Sequence, residues 1–244
     1  MPRFFADAEN ITDTEIKIVG EDAYHIARSL RMAVGDHITV SDGRGTDYYC
    51  SLSSIRDDIC ACEILNKERS EVEPKSRITL FMAYPKGDKL EIVIQKAVEL
   101  GASEIVPFES SRCIKRPKAE KQERITERLN KIAREAAKQS GRSILPTVRV
   151  AISFDKMLDL ASAHSLAILC YEDEGGRTLK DVISGISAPE TIACIVGCEG
   201  GFSREEVSTA VSRGILSVSL GKRILRCETA PDFILSALEY EFEL

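Results

Sequence analysis

Thr191-Ile-Ala-Cys-Ile-Val196 runs without interruption into Gly197-Cys-Glu-Gly-Gly-Phe-Ser203. The first six residues form an apolar run short enough to be a strand buried on both faces. The glycines permit a tight loop. Ser203 and Glu206 then have the spacing of a capping box, so a helix follows, with Gly214 placed to end it. Strand, glycine loop and helix in this order are the building unit of an α/β domain on a parallel or mostly parallel sheet.

The same rhythm continues on both sides. Leu166–Cys170 and Ile215–Leu220 are further short apolar runs, and the second opens a longer glycine-bearing loop, Leu220-Gly-Lys-Arg-Ile-Leu-Arg-Cys-Glu-Thr-Ala-Pro231. Pro231 starts a last amphipathic helix running almost to Leu244, whose Phe233, Ile234, Leu238 and Phe242 serve either the core or an interface. Upstream, Arg77–Tyr84 and Ser103–Phe108 are predicted strands. Between them Asp88 and Glu91 have N-cap spacing, Leu90, Val93, Ile94, Ala97 and Val98 make a helical apolar face, and Gly101 closes it. Ala119–Ser140 is predicted as one long helix that buries Ile125, Leu129, Ile132, Ala133, Ala136 and Ala137 and stops at Gly141.

Before residue 73 the pattern differs. Short alternating runs separated by turn residues indicate a compact β-rich unit. His37–Ser41 and Asp47–Leu52 flank Asp42-Gly43-Arg44-Gly45 as a hairpin, Ile59–Leu65 is another strand, and Glu21–Met32 has helical character. The polar stretch Asn66–Ser76 reads as a linker, so the chain divides into residues 1–72 and 73–244.

At 244 residues with 43% hydrophobic content, the chain can bury ordinary cores. It shows neither a signal-like leader nor an apolar run approaching the roughly 18 residues of a membrane span, and a cytoplasmic location is expected. The eight cysteines are scattered through apolar runs and read as reduced thiols. Cys60 and Cys62 form a lone C-x-C, and His25, His37 and His164 are far apart, so no metal site is expected. A net charge of −6 speaks globally against a polyanionic partner, yet Arg112 to Arg149 holds twelve Lys/Arg against four Asp/Glu. That local excess suits either RNA or a solvated helix face. The row His25, Arg28 and Arg31 is open to the same two readings.

Both glycine loops follow strand ends, where α/β sheets bind ligands, although tight turns need glycine anyway. G-x-x-x-x-G-K-[ST] is absent and no G-x-G-x-x-G follows the first strand, which disfavours NTP hydrolysis and dinucleotide binding. Glu199, Arg223, Arg226 and Glu228 around these loops mark either a polar reaction site or a salt-bridged cluster.

Several motifs in order along almost the whole chain resemble one family. They are Pro2-Arg-Phe-Phe5, Arg28-Ser-Leu-Arg31, Lys86-Gly-Asp-Lys-Leu90, Ala97-Val-Glu-Leu-Gly-Ala102, Glu135-Ala-Ala-Lys-Gln-Ser140, Gly197-Cys-Glu-Gly-Gly-Phe-Ser203, and Leu220-Gly-Lys-Arg-Ile-Leu-Arg226 with Glu228-Thr-Ala230. The family is RsmE, the bacterial small-subunit (16S) ribosomal RNA uridine-N3 methyltransferases of the SPOUT superfamily. The resemblance implies an N-terminal PUA-like β-barrel that binds RNA and a C-terminal SPOUT α/β domain with a trefoil knot. It also implies a homodimer that uses S-adenosylmethionine without metal and has no membrane association.

For the cofactor the resemblance points to Leu169, Gly197, Glu199, Gly200, Gly201, Leu220, Gly221, Ile224, Leu225, Arg226 and Thr229. For chemistry it points to Arg226 orienting the base, with Glu199 or Glu228 as proton acceptor or as the partner that positions the arginine. Arg3, His25, Arg28, Arg31, Arg112, Lys115, Arg116, Lys138 and Arg142 are the expected contacts to 16S ribosomal RNA or the small subunit. Cys198 and Lys222 stand where the family has prolines, so both loops lose a φ constraint. The alternatives are a related methyltransferase acting on another RNA, and a non-catalytic RNA-binding ribosome-assembly factor.

Overall fold

The computed structural model describes residues 1–114 and 119–244. The chain divides into two compact units, Met1–Glu73 with Ala137–Leu145, and Pro74–Ala136 with Pro146–Leu244. The return of residues 137–145 to the first unit has no counterpart in a single cut at residue 72.

The first unit is a five-stranded curled sheet made of β1 (Arg3–Phe5), β2 (Glu15–Val19), β3 (His37–Ser41), β4 (Thr46–Ile55) and β5 (Ile59–Arg69), ordered β1-β3-β4-β5-β2. The β3–β4 hairpin turns at Asp42–Gly45, as the Asp-Gly signal predicts, and Asp42 Oδ1 accepts the N–H groups of Arg44 and Thr46. Ile16, Ile18, Ile38, Val40, Leu52 and the thiols of Cys50, Cys60 and Cys62 fill its core. β5 runs to Arg69, so the first part of the expected linker is strand. Asn66–Arg69 pair with Thr46–Tyr49, and a polar strand of this kind has no apolar alternation to betray it.

The expected helix over Glu21–Met32 is shorter and irregular. Glu21–Tyr24 is α1, His25–Ser29 continues as a π turn, and Arg31 has a φ of 52°. The wider π turn rotates the side chains out of the i,i+3 row, so His25, Arg28 and Arg31 do not share one helical face.

In the second unit the strands are β6 (Arg77–Ala83), β7 (Ala102–Glu109), β8 (Thr147–Val148), β9 (Ile152–Ser153), β10 (Leu166–Cys170), β11 (Thr191–Val196) and β12 (Leu216–Val218). All pair in parallel, in the order β12-β10-β11-β6-β7-β8, with β9 also on β7. The helices are α2 (Lys89–Glu99), α3 (Ala119–Ser140), whose residues from Ala137 on belong to the first unit, α4 (Phe154–Ala161), α5 (Leu179–Ile183), α6 (Arg204–Ser212) and α7 (Thr229–Phe242).

α3 has the predicted limits and buries Leu129, Ala133, Ala136 and Ala137. Asp88 stands at the N-cap of α2 but caps through its carbonyl, which accepts the Glu91 N–H, rather than through its carboxylate. α7 begins two residues before Pro231, still within the first turn, where a missing N–H costs nothing. Its Ile234, Leu238 and Phe242 are buried within the unit while Phe233 and Tyr240 are exposed. All eight cysteines are free and buried. Among the described residues no helix is long and apolar enough to cross a membrane.

Candidate active site

Because β12, β10 and β11 are adjacent and parallel, their carboxyl ends open side by side. Ligands in open parallel sheets collect beyond such ends. A cavity of about 420 Å³ lies there, lined by Cys170–Glu172 after β10, by Val196–Glu199 and Gly201 after β11, and by Ser219–Cys227 after β12. Lys89 from α2 and Ala230 from α7 complete the wall.

The loop after β11 is held from several sides. The Gly201 N–H donates to the Cys198 carbonyl at 2.9 Å. Gly201 has a φ of 62°, and a Cβ there would collide with the Glu172 carboxylate. A Cβ on Gly197 would stand 3.1 Å from the Gly201 Cα, so the loop closes on its own backbone. At the far end the Ser203–Glu206 capping box forms as expected, and Phe202, 1% exposed, stacks on Phe108 at 6.3 Å.

Lys89 joins the two loops. Its Nζ is 3.1 Å from Glu199 Oε1 and 3.1 Å from Glu228 Oε2. Glu199 also accepts the Lys86 N–H at 3.1 Å. Burial pushes the Glu199 carboxyl up, but its own N–H, Lys89 and the Lys86 N–H outweigh burial and hold it below the usual glutamate range. Glu228 is likewise raised by burial and lowered further than that by its own N–H, Cys227 and Lys89. Hydrogen bonds to Glu228 and then Glu199 raise the Lys89 ammonium. The trio is therefore an ionised cluster, with Lys89 and Glu199 on the cavity wall. Lys89 is the member that residue reading missed, although it lies in the Lys86–Leu90 motif, where its helix-start role masked it.

Arg226 lies on the wall with its side chain 83% exposed and Nη1 4.0 Å from Glu228. Among the residues expected at the cofactor, Gly197, Glu199, Gly201, Leu220, Gly221, Ile224, Leu225 and Arg226 line the cavity. Leu169 is wholly buried one residue short of the wall, and Cys170, Tyr171 and Glu172 take its place. The Gly200 carbonyl accepts from the Arg112 guanidinium at 2.7 Å, and Thr229 opens α7, so neither is on the wall.

The expected RNA contacts do not form one set. In the first unit Arg3 pairs with Asp47 at 2.6 Å and Lys138 with Asp22 at 2.6 Å. Arg142 pairs with Glu73 at 2.6 Å with its side chain only 6% exposed. Burial raises the Glu73 carboxyl, but the Arg142 guanidinium and the N–H groups of Ile144 and Ser143 hold it below its usual range. These three cations are ion-paired within the unit. Arg28 is exposed but tied to Asp57 by two hydrogen bonds, while His25, Arg31 and Arg112 are exposed. Lys115 and Arg116 lie outside the described residues.

A parallel α/β domain with a glycine-looped, polar-walled cavity at its strand ends is the framework of an RNA methyltransferase domain, and the family model of that description matches residues 72–239. A second model, the RNA methyltransferase PUA domain, matches residues 18–65. The Bacillus subtilis ribosomal RNA small subunit methyltransferase E is 33% identical over 231 residues, covering 93% of this chain and 90% of that protein. A Neisseria gonorrhoeae structure of the same description, bound to S-adenosyl methionine, superposes with a TM-score of 0.88 at 30% identity, covering 99% of this chain and 98% of that one. A Legionella pneumophila methyltransferase in complex with the same cofactor superposes with a TM-score of 0.88 at 28% identity, covering 98% and 96%. The chain belongs to the ribosomal RNA small subunit methyltransferase E family.

Proposed function

We propose that this protein methylates N3 of a specific uridine in 16S ribosomal RNA, taking the methyl group from S-adenosylmethionine bound in the cavity beyond β10, β11 and β12. The observation that carries the reading is the pair of glycine loops walling that cavity with the Lys89–Glu199–Glu228 cluster between them. The volume suits a nucleoside-sized molecule, backbone edges are available to it, and the carboxylates of Glu172 and Glu199 on the wall suit a sulfonium cation.

The bound cofactor supplies an electrophilic methyl carbon with its own leaving group. The chain must align the acceptor and remove its imide proton, whose loss leaves negative charge on the flanking carbonyl oxygens. Arg226, exposed on the wall, orients the base and stabilises that charge. Glu228, the nearer carboxylate to Arg226, positions it, and Glu199 receives the proton. Lys89 holds both carboxylates ionised and in place.

The knot and the division into a PUA-like RNA platform over residues 1–72 and a SPOUT domain over 73–244 belong to the same proposal, as do the cytoplasmic location and the homodimer. The exposed Phe233 and Tyr240 on α7 supply apolar surface for a second copy. Arg112, beside the cavity loop, is the first RNA contact to test.

Mass spectrometry of nucleosides from unmodified small subunits, incubated with the protein and labelled S-adenosylmethionine, tests the reading. Labelled N3-methyluridine is the expected product. A label on another nucleoside would overturn the substrate, and no cofactor binding at all would favour a non-catalytic assembly factor.

A further inference from the structure

Cys198 lines the cavity where the family has proline, and it does not stand alone. Ser110 Oγ lies 3.3 Å from the Cys113 sulfur and 3.9 Å from the Cys198 sulfur, and the Ser110 N–H donates to Cys113 at 3.4 Å. The segment leading to Cys113 is held to the glycine loop and to the first turn of α6. Ser111 N–H donates to Glu206 Oε1 at 2.7 Å, and Arg112 Nη1 donates to the Gly200 carbonyl at 2.7 Å.

We propose that Cys113 and Cys198 form a redox-sensing dithiol that closes to a disulfide on contact with hydrogen peroxide, and that closure disables the adjacent cavity. The neighbouring Cys198 thiol pulls the Cys113 pKa down more than burial raises it, and the Ser110 hydroxyl and N–H pull the same way. Cys198 is pushed up by the same partner and by burial. The remaining thiols, Cys50, Cys60, Cys62, Cys170, Cys194 and Cys227, are all raised, chiefly by burial, and are correspondingly inert.

The chemistry divides into two steps. The Cys113 thiolate attacks one peroxide oxygen, the S–O bond forms, the O–O bond breaks, and the departing hydroxide takes up a proton to leave as water. The Cys198 sulfur then attacks the sulfenic sulfur, the S–S bond forms, and the hydroxyl leaves with the Cys198 proton as a second water. Two thiols have lost two protons and two electrons, and one peroxide has become two waters.

Closure requires the sulfurs to approach to about 2 Å. Cys198 is joined to Gly201 through its carbonyl, and Gly197 packs against the Gly201 backbone, so the loop has little slack. Drawing Cys198 toward Cys113 moves the cavity wall with it.

The test treats the full-length protein with hydrogen peroxide. Expected are an intact mass lower by two hydrogens, a mapped peptide linking Cys113 to Cys198, and reversal by dithiothreitol. Cys198→Ala should stop at a sulfenic acid on Cys113 that dimedone traps, and Cys113→Ala should form neither product. Retention of both thiols, or linkage between other cysteines, would overturn the dithiol. The effect on the cavity rests on the functional reading above. Affinity for S-adenosylmethionine should fall at least tenfold on oxidation and return on reduction, and a mapped disulfide with unchanged affinity would overturn the regulatory half. If the reduced protein binds no cofactor, the functional reading fails, and the peptide map still decides the dithiol.

Discussion

The two loops of the cavity are alike in composition and unlike in how they are held. Residues 197–203 are fixed by their own backbone, by Arg112 on the Gly200 carbonyl, by the Lys86 N–H on Glu199, by the capping box and by Phe202 in the core. Residues 221–224 are exposed, Ile224 to 83%, and the nearby side-chain bonds are those between Ser219 and Gly221. One wall is preorganised, while the other carries few restraints of its own. Lys89, touching a carboxylate from each, is the joint between them.

Breaking the joint should have the largest effect. Lys89→Met leaves Glu199 and Glu228 without their shared cation. Methyl transfer, measured as kcat/KM, should fall on the order of 100-fold. Near-normal transfer would show that the loops need no joint. Arg226→Ala acts on the open side alone. On the proposed role, in which the side chain stabilises charge that develops only during transfer, turnover should fall about 30- to 100-fold, with S-adenosylmethionine affinity changed less than about threefold. An equal loss in affinity would make Arg226 a cofactor ligand instead.

A smaller contrast sharpens the difference in rigidity. Gly197→Ala forces a methyl against the Gly201 backbone and should cost about 1–3 kcal/mol, seen as a lowered Tm. Ile224→Ala, in the exposed loop, should change stability by less than about 0.5 kcal/mol and leave Tm essentially where it was. Equal shifts would erase the distinction between a pinned and an open wall.

Much of this framework is legible in the residues because it is local. Apolar runs mark every long strand of the parallel sheet, and Ser203 with Glu206 announces α6 through the spacing of one turn. What escapes reading depends on distant partners. Arg142 looks like a free cation until Glu73, 69 residues away, is seen to neutralise it. Lys89 looks like an ordinary helix-start residue until folding brings it to Glu199 and Glu228. The π turn at His25–Ser29 escapes for another reason, since a one-residue widening of a helix leaves the apolar spacing almost unchanged.

Acid should loosen the same joint gently. Glu199 and Glu228 both sit below the usual glutamate range in the folded chain. Carboxylates with lowered folded-state values contribute stability that is fully present above the unfolded value, near pH 4.3, and is lost as pH falls through the folded value. The link between the loops should therefore persist through neutrality and fade only below about pH 4, by a modest amount, since solvent screens both groups. Hydrogen exchange of residues 219–228, corrected for the intrinsic pH dependence of exchange, should rise over that acid range. Residues 197–203 should lag behind, because the bond from Arg112 to the Gly200 carbonyl and the turn between Cys198 and Gly201 involve no carboxylate. If both loops opened together on acidification, the pinned wall would depend on the same carboxylates as the open one, and Lys89 would be holding up both rather than joining a rigid wall to an adaptable one.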